Sequence, residues 1–480
     1  MHRQIRRCAV PLLAVLAAST LGALAPATSA AGADAGDTGK RVAIKGAPAP
    51  GPASYDRVWV RKYGPADARA VLVLMPGSPS GQGSFDAIAP EIAARVQGLA
   101  VWTLDRRGNA LEDVSAFELG DANTALSYYI FGQEVGGRKF QPVSDREGSF
   151  VHEWGAAVAM NDVHRVVTEA GRGGRSVILG GHSMGASMTP LYAAWDFNGR
   201  AGFRDLDGLV QIDGGAMGTW DKSTAGTPYA NHIGSVREAK RVLKAAGRQS
   251  PFGFAGWIQG VPEWLVGVLP ELGCQYALQA PNEASVLQQL ADDLEAVFPG
   301  VLPAGLLPEF PVTNEALIGY LMTNQSSAGI ALASLHVRVG QLAESGDPRP
   351  WVNGPISSVP AACASFTREP GNAFEWYYPV RNEIDVLRGD SFLRDDAVSR
   401  YLGMRTFHLS QVDVPVYAYE SAISQGGVRE GVDRFVRKSK VPRHEVVSEP
   451  DAGHLDPLLD DPAQNRFLET VVPFLRGLTP

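Results

Sequence analysis

The sequence predicts an α/β fold: a mostly parallel sheet flanked by helices, with a large, mainly helical segment inserted between two strands. Three observations predict it. Ala70–Met75 and Leu99–Leu104 are unbroken apolar runs of strand length, as strands covered on both faces require. A segment of helical spacing, Phe85 to Val96, separates them, and strand–helix–strand alternation of this kind makes right-handed parallel crossovers. Finally, the rhythm stops near Ala216 and resumes only at Val412.

Taken in order, Tyr55 to Tyr63 alternates Val58 and Val60 with Arg57 and Arg61, the pattern of a strand exposed on one face. Ala70–Met75 ends in the turn-rich Pro76-Gly77-Ser78-Pro79-Ser80-Gly81, and Leu99–Leu104 ends in Asp105-Arg106-Arg107-Gly108-Asn109. Leu111 to Glu147 is a long aromatic-bearing connection, and Phe150 to Ala170 has helical spacing. Ser176–Gly180 is a strand, and Leu206–Asp213 is another, ending in a carboxylate and two glycines. In the inserted segment, Ala284 to Val297 and Asn314 to Ala343 read as helices. The sheet pattern returns at Val412–Glu420, followed by a short strand at Glu445 to Ser448 and a helix from Pro462 to Leu475.

The chemistry is concentrated where the Ser176 strand ends, in Gly181-His182-Ser183-Met184-Gly185. Strand, tight turn and helix in this order form the G-x-S-x-G elbow, which lifts a serine hydroxyl out of a sheet. The glycines remove Cβ atoms that would crowd strand against helix, and the helix N-terminus faces developing negative charge. The competing reading is an ordinary strand-to-helix loop. The context of an apolar strand before and a helix after favours a nucleophilic Ser183.

Met1 to about Ala30 reads as a secretory signal: Arg3, Arg6 and Arg7, then an apolar Ala/Leu core, then small residues. Arg6-Arg7 is a poor twin-arginine match, and Cys8 precedes the apolar core, where it cannot serve as a lipid-modified cysteine. A secreted chain, extracellular or periplasmic, with no stable membrane anchor is expected. Residues 31–52, rich in Ala, Gly and Pro, read as a flexible leader. The core is expected at 53–215 and 412–480, and an inserted cap at 216–411. Once the signal is removed, Cys274 and Cys363 are the remaining thiols, and in an exported chain they are expected to pair as a disulfide. The net charge of -8 becomes about -11 without the signal's three arginines. No basic stripe appears, which argues against nucleic acid as a partner. His152 and His164 share a helix without a carboxylate at metal spacing, so no metal is expected.

With Pro76-Gly77-Ser78, Gly181-His182-Ser183-Met184-Gly185 and Gly453-His454 in this order, the chain resembles the α/β-hydrolase superfamily, as a secreted esterase- or lipase-like member with a large cap. The resemblance covers roughly Tyr55 to Gly215 and Val412 to Leu478. It implies that His454, after the last strand, is the catalytic base, and that His182 packs beneath the elbow. It also implies an acid a few residues beyond the Val414–Tyr419 strand, where Ala422-Ile423-Ser424-Gln425 offers none. Two candidates remain: Asp213, preferred because the glycines after it allow close backbone approach, and Glu420 as runner-up. Asp105 and Asp456 are read as structural. The backbone N–H groups of Ser78 and Met184 are the expected oxyanion hole, with Pro76 standing where relatives often have histidine.

These residues point to hydrolysis of a carboxylic ester through an acyl-enzyme, without a cofactor, on a small-molecule or lipid-like substrate. A serine at the elbow disfavours the dehalogenase and epoxide hydrolase chemistry of relatives that use a carboxylate there. A peptidase or amidase would use the same triad and needs a site for a free amine, for which Glu263, Glu271 and Glu283 in the cap are candidates. An acyltransferase, or a non-catalytic binding protein on the same scaffold, are further alternatives. Pro251–Ile258 and Trp264–Leu269 could line an acyl pocket, but are read first as the cap's own core. The sequence leaves the oligomeric state open.

Overall fold

The structure, a computed structural model, describes residues 39–225, 231–253, 262–297, 305–323 and 335–480. The proposed signal and Phe254–Ile258 lie outside the described residues.

Eight strands form one sheet. They are β1 (Lys40–Lys45), β2 (Arg57–Tyr63), β3 (Ala70–Met75), β4 (Leu99–Asp105), β5 (Ser176–His182), β6 (Gly208–Ile212), β7 (Val416–Glu420) and β8 (His444–Ser448), in the spatial order 1-2-4-3-5-6-7-8. β2 runs antiparallel to both β1 and β4, and every pairing from β4 to β8 is parallel. This is the α/β-hydrolase fold.

Among the described residues, the helices that accompany the sheet include α1 (Ala89–Arg95), α2 (Ala122–Tyr129), α3 (Ala156–Ala170), α4 (Met184–Ala194), α5 (Val236–Ala246), α6 (Glu263–Gln279), α7 (Asn314–Met322), α8 (Val359–Phe366), α9 (Gly427–Lys438) and α10 (Arg466–Arg476). The two-residue period of β3 sends Val71, Val73 and Met75 to one face and Ala70, Leu72 and Leu74 to the other. The first face packs on α3, α4 and α9 through Val163, Met188 and Val432, and the second on α1 and α10 through Ile92 and Val471. Every β3 side chain is thereby buried, which is why its sequence shows no alternation.

The stretch between β6 and β7 carries α5 to α8 and a hairpin of Gly340–Leu342 with Trp351–Asn353. It is continuous with the core rather than separate from it. Leu317 of α7 and Val359 of α8 share a hydrophobic cluster with Ile92 and Val471. Trp264, Leu265 and Val268 of α6 pack with Tyr129, Phe140 and Trp376 in a third cluster. Cys274 of α6 is bonded to Cys363 of α8, with Cα atoms 5.0 Å apart.

Three expectations are corrected. The leader is not wholly flexible: within residues 31–52, β1 pairs along β2 and packs Val42 and Ile44 on the core. Its short alternation was hidden by Ala, Gly and Pro on either side. The helix expected from Asn314 to Ala343 ends at Met322, and the segment from Gly340 is a strand entered through a glycine at φ 127°. Phe150 opens no α-helix: a 3₁₀ turn at Ser149–Glu153 precedes α3, which begins after Gly155.

Candidate active site

Ser183 stands between β5 and α4 at φ 55° and ψ −119°. An L-residue held there costs on the order of 1–3 kcal/mol, so its surroundings must enforce it. Two of them are visible. Ser183 N–H donates to Ile212 O at 2.9 Å, and the flanking glycines leave no room for side chains. A Cβ on Gly185 would strike Met75 O, and one on Gly181 would strike the backbone of Gly185.

β6 ends beside β5, so Asp213 follows immediately after the strand that receives the Ser183 N–H. Asp213 is fully buried, at φ 45°. Its Oδ2 lies 2.5 Å from His454 Nδ1, its Oδ1 accepts the Ser421 N–H at 2.8 Å, and the Ser421 hydroxyl also donates to Oδ2. Both carboxylate oxygens are thus held by donors that orient the group toward the imidazole. The runner-up goes elsewhere. Glu420 accepts from the Ser424 hydroxyl, the Val428 N–H and the Ser448 hydroxyl, tying β7 to α9 and β8.

His454 is 5 % exposed, and its ring lies against that of His182, the residue before Ser183, with centroids 4.3 Å apart. His182 Nε2 faces the His454 carbonyl oxygen at 2.9 Å, so it must carry the proton. Burial holds the His182 pKa well below its ordinary value, so the ring is neutral and acts as a donor to the histidine loop. Trp220 meets the His454 ring edge-on at 6.1 Å. The loop itself is braced by Asp456, which accepts from Gly453 N–H at 2.5 Å. The Ser183 hydroxyl makes no hydrogen bond to His454 among the described residues. Such bonds are commonly long without substrate and tighten when it binds.

The Pro76–Ser78 loop adjoins the nucleophile: a Cβ on Gly77 would lie 2.9 Å from Ser183 Cβ. Arg106 fixes the loop by donating to the carbonyls of Pro76, Gly77 (2.9 Å) and Ser80 (2.9 Å) while pairing with Glu375 at 2.9 Å. With those carbonyls turned to the guanidinium, the Ser78 N–H stays free, as does the Met184 N–H at the start of α4; neither donates within the described residues. The side chains of both residues converge on Tyr378. Its hydroxyl accepts from Ser78 Oγ at 3.2 Å and lies 2.9 Å from Met184 Sδ.

Asp105 is taken up by Gln82 N–H (2.6 Å) and Arg41 (2.9 Å), a structural role. The cap carboxylates have other neighbours. Glu271 is buried against Asn372, Glu263 packs against Gly253, and Glu283 is exposed in a turn. Among the described residues, one group of metal-ligand type, His336, Asp456 and Asp460, lies close together, and Arg338 already pairs with Asp460 at 2.8 Å. A second serine–histidine–aspartate chain runs from Ser391 Oγ to His232 Nδ1 (2.9 Å) and from His232 Nε2 to Asp221 Oδ1 (2.8 Å), but Ser391 sits on no elbow. Arg106, His182 as a donor, Ser421, Trp220 and Tyr378 were not singled out by sequence. The only signal for any of them was aromatic clustering at Trp376-Tyr377-Tyr378.

No family model matches the chain, and no curated protein does. Solved structures do. Epoxide hydrolase A from Mycobacterium thermoresistibile is 15% identical, over 92% of this chain and 99% of its own, with a TM-score of 0.41. A thermophilic esterase from Thermogutta terrifontis is 13% identical over 92% and 100%, with a TM-score of 0.36. A soluble variant of monoglyceride lipase from Saccharomyces cerevisiae is 11% identical over 88% and 92%, also at 0.36. At such identities and scores they decide nothing about the chemistry of the site.

Proposed function

We propose that the protein is a secreted serine hydrolase that cleaves carboxylic esters. The observation that carries this reading is the 2.5 Å Asp213–His454 contact, made beside a serine at an elbow whose backbone is in a strained conformation. Asp213 fixes the tautomer with the proton on Nδ1, leaving Nε2 to accept the proton of Ser183. Ser183 Oγ attacks the carbonyl carbon, and the oxyanion is held by the Ser78 and Met184 N–H groups. The imidazolium returns its proton to the leaving alkoxide. Water, activated by the same imidazole, then releases the acid from the acyl-enzyme.

A fluorophosphonate probe should label the wild type on Ser183 and fail to label Ser183→Ala. The labelled enzyme should lose p-nitrophenyl ester hydrolysis in proportion to labelling. Labelling elsewhere, or none, would remove the reading. Aminoacyl p-nitroanilides, assayed alongside, separate an esterase from a peptidase or amidase.

A further inference from the structure

The chain carries a net charge of -8, yet one helix of the inserted segment is basic along its outer face. Helix α5 holds Arg237, Lys240, Arg241 and Lys244, and Arg248 stands in the turn that follows. Along the chain these residues are interleaved with Ala, Val, Leu and Glu238, which is why no basic stripe shows in the sequence. The 3.6-residue turn gathers the four helical ones within about 100° of the circumference. All five are exposed. The opposite side of α5 is apolar: Ala239 is buried, and Val236, Val242, Leu243 and Ala246 pack on the core.

The fold gains little from this arrangement. Arg237 and Lys240, Arg237 and Arg241, Lys240 and Lys244, and Arg241 and Lys244 are like-charge neighbours three or four positions apart, which destabilise a helix. Arg237 also stands in the first turn, where the helix dipole disfavours a cation. Glu238 is the one carboxylate in α5; it lies 3.7 Å from Arg241 and already accepts from the Gly234 N–H at 3.0 Å. Among the described residues, Arg237, Lys240, Lys244 and Arg248 pair with no carboxylate. Lys240 instead lies 5.7 Å from the ring centroid of Tyr401, a residue 42% exposed on the short helix Ala397–Leu402 beside α5. A second basic group, Arg437 and Lys438 with Lys440 just beyond, has a structural account, because it closes α9, where cations complement the dipole.

Uncompensated positive charge along a convex face, with an amphipathic ring at its edge, suits the headgroup region of an anionic bilayer. A bilayer meets such a face tangentially, so most of the acidic remainder stays beyond the Debye length of about 8 Å at physiological salt. A nucleic acid strand would run on past the patch onto a surface of net negative charge.

We propose that the outer face of α5 docks the protein on anionic lipid bilayers, reversibly and in a salt-dependent way, with Tyr401 at headgroup level. The inference goes beyond the hydrolase reading and does not rest on Ser183.

Sedimentation with vesicles, using the protein purified after export, tests it. The wild type should bind vesicles of phosphatidylglycerol and phosphatidylcholine in about equal parts, should not bind phosphatidylcholine alone, and should be released by added salt. Each cation near an anionic surface contributes about fivefold in affinity, so the triple variant Arg237→Gln, Lys240→Gln, Lys244→Gln should bind about 100-fold more weakly. The control Arg437→Gln, Lys438→Gln, Lys440→Gln removes the same charge from the other basic group and should bind close to the wild type. Arg237→Glu separates docking from folding. An acid in the first turn favours the helix, so the melting temperature should hold or rise while binding falls about 25-fold. Absence of binding to the anionic vesicles, or equal losses in the two triple variants, would overturn the proposal. So would duplex DNA that displaces the vesicles and is itself no longer bound by the α5 variant.

Discussion

Asp213 and Glu420 end neighbouring parallel strands, yet their carboxylates have different partners. Asp213 turns back at φ 45° toward His454, with Ser421 holding the oxygens from behind. Glu420 turns outward to the N-terminus of α9, where the Val428 and Arg429 N–H groups receive it. Helix N-termini attract carboxylates, so Glu420 serves as an anchor for α9. The expected outcome is that Asp213→Asn lowers kcat by about 10⁴, as a triad acid does when its tautomer control is lost. Glu420→Gln should keep kcat near that of the wild type while lowering the melting temperature. Steady-state kinetics on one p-nitrophenyl ester, paired with thermal melts, checks both. A reversed pattern would reassign the acid.

At the scale of elements, two connections hold the site and its roof. Arg106, just beyond β4, clamps the loop after β3 by three of its carbonyls. Arg106→Lys retains a charge but not the planar fork, so it cannot satisfy the same set. Displacing the oxyanion donors by an ångström should cost about 10²-fold in kcat, with a much smaller change in KM. Equal kcat values for variant and wild type would show that the clamp does not position the hole. The second connection is the Cys274–Cys363 bond, which closes a loop with a sequence separation of 89 residues between α6 and α8. Chain-entropy reasoning gives such a bond roughly 4–5 kcal/mol, with measured removals usually at about 2–5. The double Cys→Ser variant should melt at lower temperature by that order, and the reduced wild type should match it.

Across the molecule, the ionisable groups predict how stability varies with pH. Burial pushes Glu263, Glu375, Asp390 and Asp460 each up to about 7. In the unfolded chain such groups lose their protons near pH 4. Between those values the native state binds more protons, so its stability falls as pH rises and levels off only above the folded pKa. His152, His164 and His182 act in the opposite sense, because burial lowers their pKa values. Their contribution rises with pH only until the unfolded imidazole value of about 6.5. Above that the carboxyls act alone. The melting temperature should therefore decline from pH 6.5 to pH 8, each still-protonated group contributing up to about 1.4 kcal/mol per pH unit. Glu375→Gln should flatten part of that slope. A stability that rises over this range would contradict the assignment.

Local chemistry by itself made the central strands and the elbow legible, while His454 was marked by the resemblance to the α/β-hydrolases. An unbroken run such as Val71-Leu72-Val73-Leu74 has one stable environment, and Gly181-His182-Ser183-Met184-Gly185 has one compatible turn, so neither needs distant partners to be read. The leader strand β1 escaped notice because its alternation is short and its neighbours are Ala, Gly and Pro. Only tertiary structure shows that Asp213, and not Glu420, meets His454; the two carboxylates stand 207 residues apart yet end adjacent strands. The same holds for Arg106 on the Pro76 loop and Tyr378 between Ser78 and Met184. Each of these roles depends on which groups a fold brings within about 3 Å, the reach of a hydrogen bond. No spacing along the chain encodes that proximity.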